Sequence, residues 1–216
     1  MVVAAIREGF VIGNHSYSHP HFSIISVDNA REEITKTDKI IDTLYLQAGR
    51  QRPAKWFRFP YGDTGDNSNG KIFNWISLRD KKKKAIFQSF LSNLNYTQPN
   101  FANINYRYYI RILKTQLDWN WTFDSMDWAL LSKNNSAIFT EIIKRIHQKH
   151  PKDFRGFWNF SNRWRNTTSD EIILMHDHEN SASFFQGIIE NLLEISHRFE
   201  LPDMVRHDFA SPQLPR

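Results

Sequence analysis

The chain has 216 residues, 40% of them hydrophobic, which is enough for one sizeable core and too short for two comfortable domains. It contains no cysteine, so disulfides and thiolate ligands are excluded and a transition-metal site must be built from His, carboxylate and water. The formal charge of +5 suits an anionic partner, but much of the excess is local, at 81–84 and 155–165, and the run at 81–84 reads as a solvated face rather than a binding patch.

Residues 2–8 read as the end of a helix stopped by Gly9, followed by Phe10-Val11-Ile12 as a short buried strand. Two imidazoles then stand four residues apart, in His15-Ser16-Tyr17-Ser18-His19. If 16–18 wind into a helical turn, both rings share a face and reach one ion. The spacing alone also fits one surface His and one satisfied by a backbone carbonyl. Asp28 as N-cap, with Ile34, Ile41, Leu44 and Ala48 at helical spacing, predicts an amphipathic helix over 29–48 that ends before Gly49.

Trp56-Phe57-Arg58-Phe59 reads as a short aromatic strand, and Pro60-Tyr61-Gly62-Asp63 forces a turn at its end. A helix over 68–77 comes next, then a polar and aromatic segment over 78–114 with a helix at 84–94. Its Tyr106 to Tyr109 cluster, interleaved with basic residues, suits a lid or insertion packing its own aromatics better than a surface for sugars or bases. No nucleic-acid recognition fold accompanies it. Leu117 to Asp124 alternates as a strand does and delivers Asp124 and Asp127 at its end. A helix over 136–150 and a polar loop over 151–170 lead to a strand at 171–175, which ends in His176-Asp177-His178. Phe184, Phe185, Ile188, Ile189, Leu192, Leu193 and Phe199 mark a last amphipathic helix. Strands alternate with helices and the polar motifs sit at strand ends, which predicts an α/β fold of βα units in a single domain over 1–216. No run approaches the length of a membrane helix, and the first residues lack the basic start and long apolar centre of a signal peptide.

Four motifs follow one another in order: His15 to His19, Arg58-Phe59-Pro60-Tyr61-Gly62, Asp124-Ser125-Met126-Asp127-Trp128 and Leu174-Met175-His176-Asp177. Together they resemble the polysaccharide deacetylases of the NodB-homology type, carbohydrate esterase family four, from Gly9 to about Phe199. The resemblance implies a distorted, incomplete (β/α) barrel lacking its first strand, with an insertion at about 78–114. It implies a metal-dependent hydrolase that removes N-acetyl or O-acetyl groups from a polysaccharide or oligosaccharide in the cell envelope or outside the cell.

By that resemblance, His15 and His19 would bind a divalent metal, most simply zinc, His176 would be the general acid and Asp127 would fix its tautomer. Arg58 would orient the base, the Tyr61 N–H would stabilise the oxyanion, and Trp128 and Leu174 would wall the acetyl pocket. Read without the family, Trp128 and Leu174 are plain core residues. The family's pattern opens with Thr-Phe-Asp-Asp-Gly, which supplies the base and a third ligand, whereas here the fourteen residues before His15 hold one acidic residue, Glu8. The sequence therefore reads as a truncated or impaired deacetylase, the alternative being a non-catalytic carbohydrate-binding relative.

Overall fold

The structure is a computed structural model, and it describes residues 1–66, 81–99, 104, 116–125, 127–131, 135–147, 172–177, 179–195 and 199–202. It is α/β, and its residues group into two compact units. One unit is drawn from Met1–Ala102, Thr115–Trp119 and Pro202–Arg216, the other from Asn103–Lys114 and Asn120–Leu201. The expected helix at 68–77 and loop at 151–170 lie outside the described residues, as do parts of the segment at 78–114. Among the described residues no helix is long and apolar enough to cross a membrane.

The first unit is organised by α2 (Val27–Ala48), which the sequence places almost correctly. Its cap is Ser26, whose hydroxyl accepts the Asn29 N–H at 3.1 Å, so the helix starts before Asp28; Asp28 instead adds a negative charge to the first turn. Gly49 ends it at φ 67°, a left-handed conformation that glycine adopts without Cβ strain. Ala30 and Ile34 turn one stretch of α2 into an aromatic core with Phe22, Phe57, Phe59, Phe87, Leu91 and Tyr96. Ile41, Tyr45 and Ala48 pack further along against Ile6 of α1 (Val2–Arg7). Phe22 is fully buried and meets Phe57, Phe59 and Phe87 edge-on, at 5.1–5.9 Å between ring centres.

Two expectations in this unit fail. Phe10-Val11-Ile12 is not a buried strand, since Phe10 is 59% exposed and strand pairing begins only at Asn14. The lysine run is not wholly solvated either. It opens α3 (Lys81–Asn93), where Lys83 donates to the carbonyls of Ser23 at 2.9 Å and Ile25 at 2.6 Å, and Lys84 lies 3.7 Å from Asp66. Asn14 pairs with Phe57 in parallel: the Asn14 N–H donates to the Trp56 carbonyl at 2.8 Å and the Arg58 N–H to the Asn14 carbonyl at 3.0 Å. Trp119 adds to the other edge of the same segment, donating to the Phe57 carbonyl at 2.8 Å.

The second unit packs α4 (Asn135–His147) and α5 (Ala182–Ile195) over one parallel strand pair, β1 (Phe123–Asp124) and β2 (Ile173–Leu174). Ile142, Ile146, Ile188 and Leu192, at helical spacing on the two helices, form its core with Phe123 and Leu130. Both strands are shorter than the sequence suggests, with Phe123 opposite Ile173 and Asp124 opposite Leu174. The last helix stops by Ile195, so Phe199 lies beyond it and is exposed.

Candidate active site

Each unit carries chemistry just past a parallel strand pairing, where successive βα connections converge. In the first unit, one step beyond the Asn14–Phe57 bridge brings His15 beside Arg58. His15 Nδ1 lies 2.8 Å from the Arg58 carbonyl oxygen. A carbonyl can only accept, so Nδ1 carries the proton and His15 presents a lone pair on Nε2. His15 Nε2 is 3.0 Å from His19 Nε2. Two imidazole nitrogens about 2.0–2.1 Å from one zinc at a tetrahedral angle stand about 3.3 Å apart. The two histidines therefore fit as two ligands of one ion.

The helical turn expected between them does not form. Ser16 at φ 68° and His19 at φ 59° are both left-handed, and these two reversals bend the chain so that the rings face one another. Side chains hold the bend. The Asn14 Oδ1 accepts the Ser16 N–H at 2.9 Å, and the Ser16 hydroxyl accepts the His19 N–H at 3.1 Å. Glu33 accepts the N–H groups of Tyr17 and Ser18 at 2.9 and 2.7 Å.

Asn14 is itself fixed from below. It is buried, and its amide donates to the Ile34 carbonyl at 2.9 Å and to the Tyr96 hydroxyl at 2.7 Å. Tyr96 donates to Asp38 at 2.8 Å, and Asp38 also pairs with Arg52 and Lys55 at 2.5 and 2.7 Å. Burial raises the Tyr96 hydroxyl pKa, as does its bond to Asp38, so Tyr96 stays a neutral donor. Burial also works to raise the Asp38 carboxyl, but the bonds from Lys55, Arg52 and Tyr96 outweigh it and leave that pKa below its ordinary value.

Tyr61 is left-handed at φ 57° in the short 3-10 turn Pro60–Gly62. Its ring stacks on His21 at 3.9 Å and meets His19 edge-on at 4.5 Å. Asp63 ties this turn to 21–23: it accepts the Ser23 N–H and hydroxyl at 2.9 and 2.6 Å on one oxygen and the Gly65 N–H at 3.0 Å on the other. The motif's Asp is thus a buried brace. Arg58 contributes its backbone carbonyl to His15, a part that the sequence did not suggest.

In the second unit the register explains a second pair. With Asp124 opposite Leu174, Asp127 lies three residues past one strand and His176 two past the other. Asp127 is buried, and its carboxylate takes both donors of His176, the ring Nδ1 at 2.7 Å and the backbone N–H at 2.6 Å. Burial raises the Asp127 carboxyl pKa, but the two bonds from His176, with a further contribution from Ser125, bring it below its ordinary value. A carboxylate only accepts, so Nδ1 of His176 carries a proton in this bond. Trp128 is 39% exposed, which sets aside its reading as a core residue, while Leu174 is half-buried in β2.

The sequence patterns of known families bear on residues 1–72, which match the polysaccharide deacetylase family. The matched segment holds His15, His19, Arg58 and Tyr61, whereas Asp127, Trp128, Leu174 and His176 lie past the matched residues. The chain is 42% identical over 61 residues to the peptidoglycan-N-acetylglucosamine deacetylase of Bacillus cereus, covering 28% of this chain and 20% of that protein. It is 30% identical over 93 residues to the peptidoglycan-N-acetylmuramic acid deacetylase PdaC of Bacillus subtilis, covering 39% of this chain and 19% of that protein. The matches thus span about a fifth of these relatives' length. Among solved structures, a family 4 carbohydrate esterase from Streptomyces lividans overlaps at a TM-score of 0.48 and 21% identity, covering 89% of this chain and 66% of that one. A CE4 family pseudoenzyme from Bacillus anthracis overlaps at a TM-score of 0.42 and 19% identity, covering 84% of this chain and 41% of that one.

Proposed function

We propose that this chain acts as a metal-dependent deacetylase that removes N-acetyl or O-acetyl groups from a polysaccharide or oligosaccharide, on a (β/α) barrel of the NodB type. The observation that carries the reading is the approach of His15 Nε2 and His19 Nε2 to 3.0 Å within the residues that match the deacetylase family. The names of the two curated relatives put bacterial cell-wall amino sugars first among the substrates to try.

His15 and His19 would hold a divalent ion, most simply zinc. Such an ion, when bound, polarises a carbonyl oxygen and lowers the pKa of a water molecule. The chain's own groups would do the rest. The backbone N–H of Tyr61 would donate to the oxyanion, and Arg58 would orient the base. His176 would give the leaving amine the proton on Nε2, its tautomer held by Asp127. Trp128 and Leu174 would bound the acetyl group.

The assignments separate in one experiment that measures zinc content and turnover together. His15→Ala and His19→Ala are expected to lose zinc and activity, whereas His176→Ala keeps its zinc and loses about 10²–10⁴-fold in turnover. Equal zinc in all three variants would overturn the ligand assignment, and full turnover by His176→Ala would overturn its role as acid.

A further inference from the structure

We propose that Glu33 is the positioning residue of the paired histidines and sets their affinity for a divalent cation; the proposal rests on the metal reading of His15 and His19. The segment between the histidines is not helical, so no i to i+4 ladder holds it. Ser16, and His19 at its end, adopt left-handed backbone conformations that a residue with a side chain disfavours. Such a bend persists only where its surroundings enforce it.

Glu33 supplies much of that enforcement. Its Oε2 accepts the adjacent N–H groups of Tyr17 and Ser18 at 2.9 and 2.7 Å, and its Oε1 accepts the Ser18 hydroxyl at 2.7 Å. Two consecutive amides can point at one oxygen only if the chain turns between them, and this turn brings His19 back to His15. An ionised acceptor makes each bond about twice as strong as a neutral one. The clamp is also anchored. Ile34, the next residue of α2, is fully buried, and its carbonyl accepts the amide of Asn14, the neighbour of His15. Lys36, on the same face of α2, lies 3.5 Å from the centre of the Tyr17 ring, so one helical face grips the loop twice.

The test is a Co²⁺ titration read by the visible absorption of the bound ion, with melting temperature recorded for each protein. Wild type is expected to bind and His15→Ala not to. Glu33→Ala binds about 10–100-fold more weakly, the cost typical of losing a residue that orients a ligand. Glu33→Gln, whose amide oxygen can still accept from both backbone amides, recovers most of the affinity, and Glu32→Ala, one exposed residue away, matches wild type. Wild-type affinity in a folded Glu33→Ala, with binding lost in His15→Ala, would overturn the role of Glu33 alone. No binding by wild type, or undiminished binding by His15→Ala, would overturn the metal reading and the proposal with it. Should Glu33→Ala fail to fold, Glu33→Asp, too short to span both amides, is read in its place with the same expected loss.

Discussion

His15 gives its Nδ1 proton to a backbone carbonyl, and His176 gives its own to a buried carboxylate. Each acceptor fixes the tautomer and orientation of its ring, His15 by a carbonyl and His176 by a carboxylate. Asp127→Asn is expected to lower turnover by about 10²-fold or more while leaving metal content unchanged, because the amide nitrogen opposes one of the two donors of His176. Unchanged turnover in that variant would remove Asp127 from the account. The same carboxylate links stability to pH. Its folded pKa lies below the ordinary 3.8, so its contribution is complete above that value and is lost as pH falls toward the lower, folded one. Acid unfolding of Asp127→Ala should therefore show a shallower loss of stability with falling pH below about 4 than wild type shows. A slope identical to wild type in that window would contradict the assigned bonds.

At the scale of the element, the loop at 15–19 and the turn at 60–65 are held by residues remote in sequence. Gly65 sits at φ 87°, and a Cβ there would lie 2.5 Å from the Phe87 ring of α3. Gly65→Ala is expected to destabilise the first unit by about 1–3 kcal/mol through overpacking, with strain from the left-handed backbone in addition. Urea unfolding at unchanged m-value measures this, and a shift of only a few tenths would contradict the packing described. Phe22→Ala, which empties the centre of the aromatic core, should cost about 3–5 kcal/mol by the same measurement. Legibility in the sequence follows the range of the interaction. The span of α2 was readable because its periodic apolar residues and Gly49 are local signals, whereas its cap proved to be Ser26 and not Asp28. Neither Glu33 nor Asp63 was readable as a brace, because each acts on backbone amides, which leave no mark in a side-chain pattern. The helical turn between the histidines was a wrong inference from spacing alone, since two left-handed residues bring positions i and i+4 together as well as a helix does.

For the molecule as a whole, both units place their polar residues at the ends of parallel strand pairs, and this the sequence did foretell from the motifs that close Trp56 to Phe59 and Glu171 to Met175. The strands are shorter than their apolar runs, so β propensity marked their position and pairing set their length. The most direct test of the account is acetate release by this chain from a panel of N-acetylated glycans, with added zinc or cobalt and again with a chelator. Metal-dependent release that the chelator abolishes is expected. No release from a folded, metal-loaded sample would contradict it and favour a non-catalytic carbohydrate-binding relative.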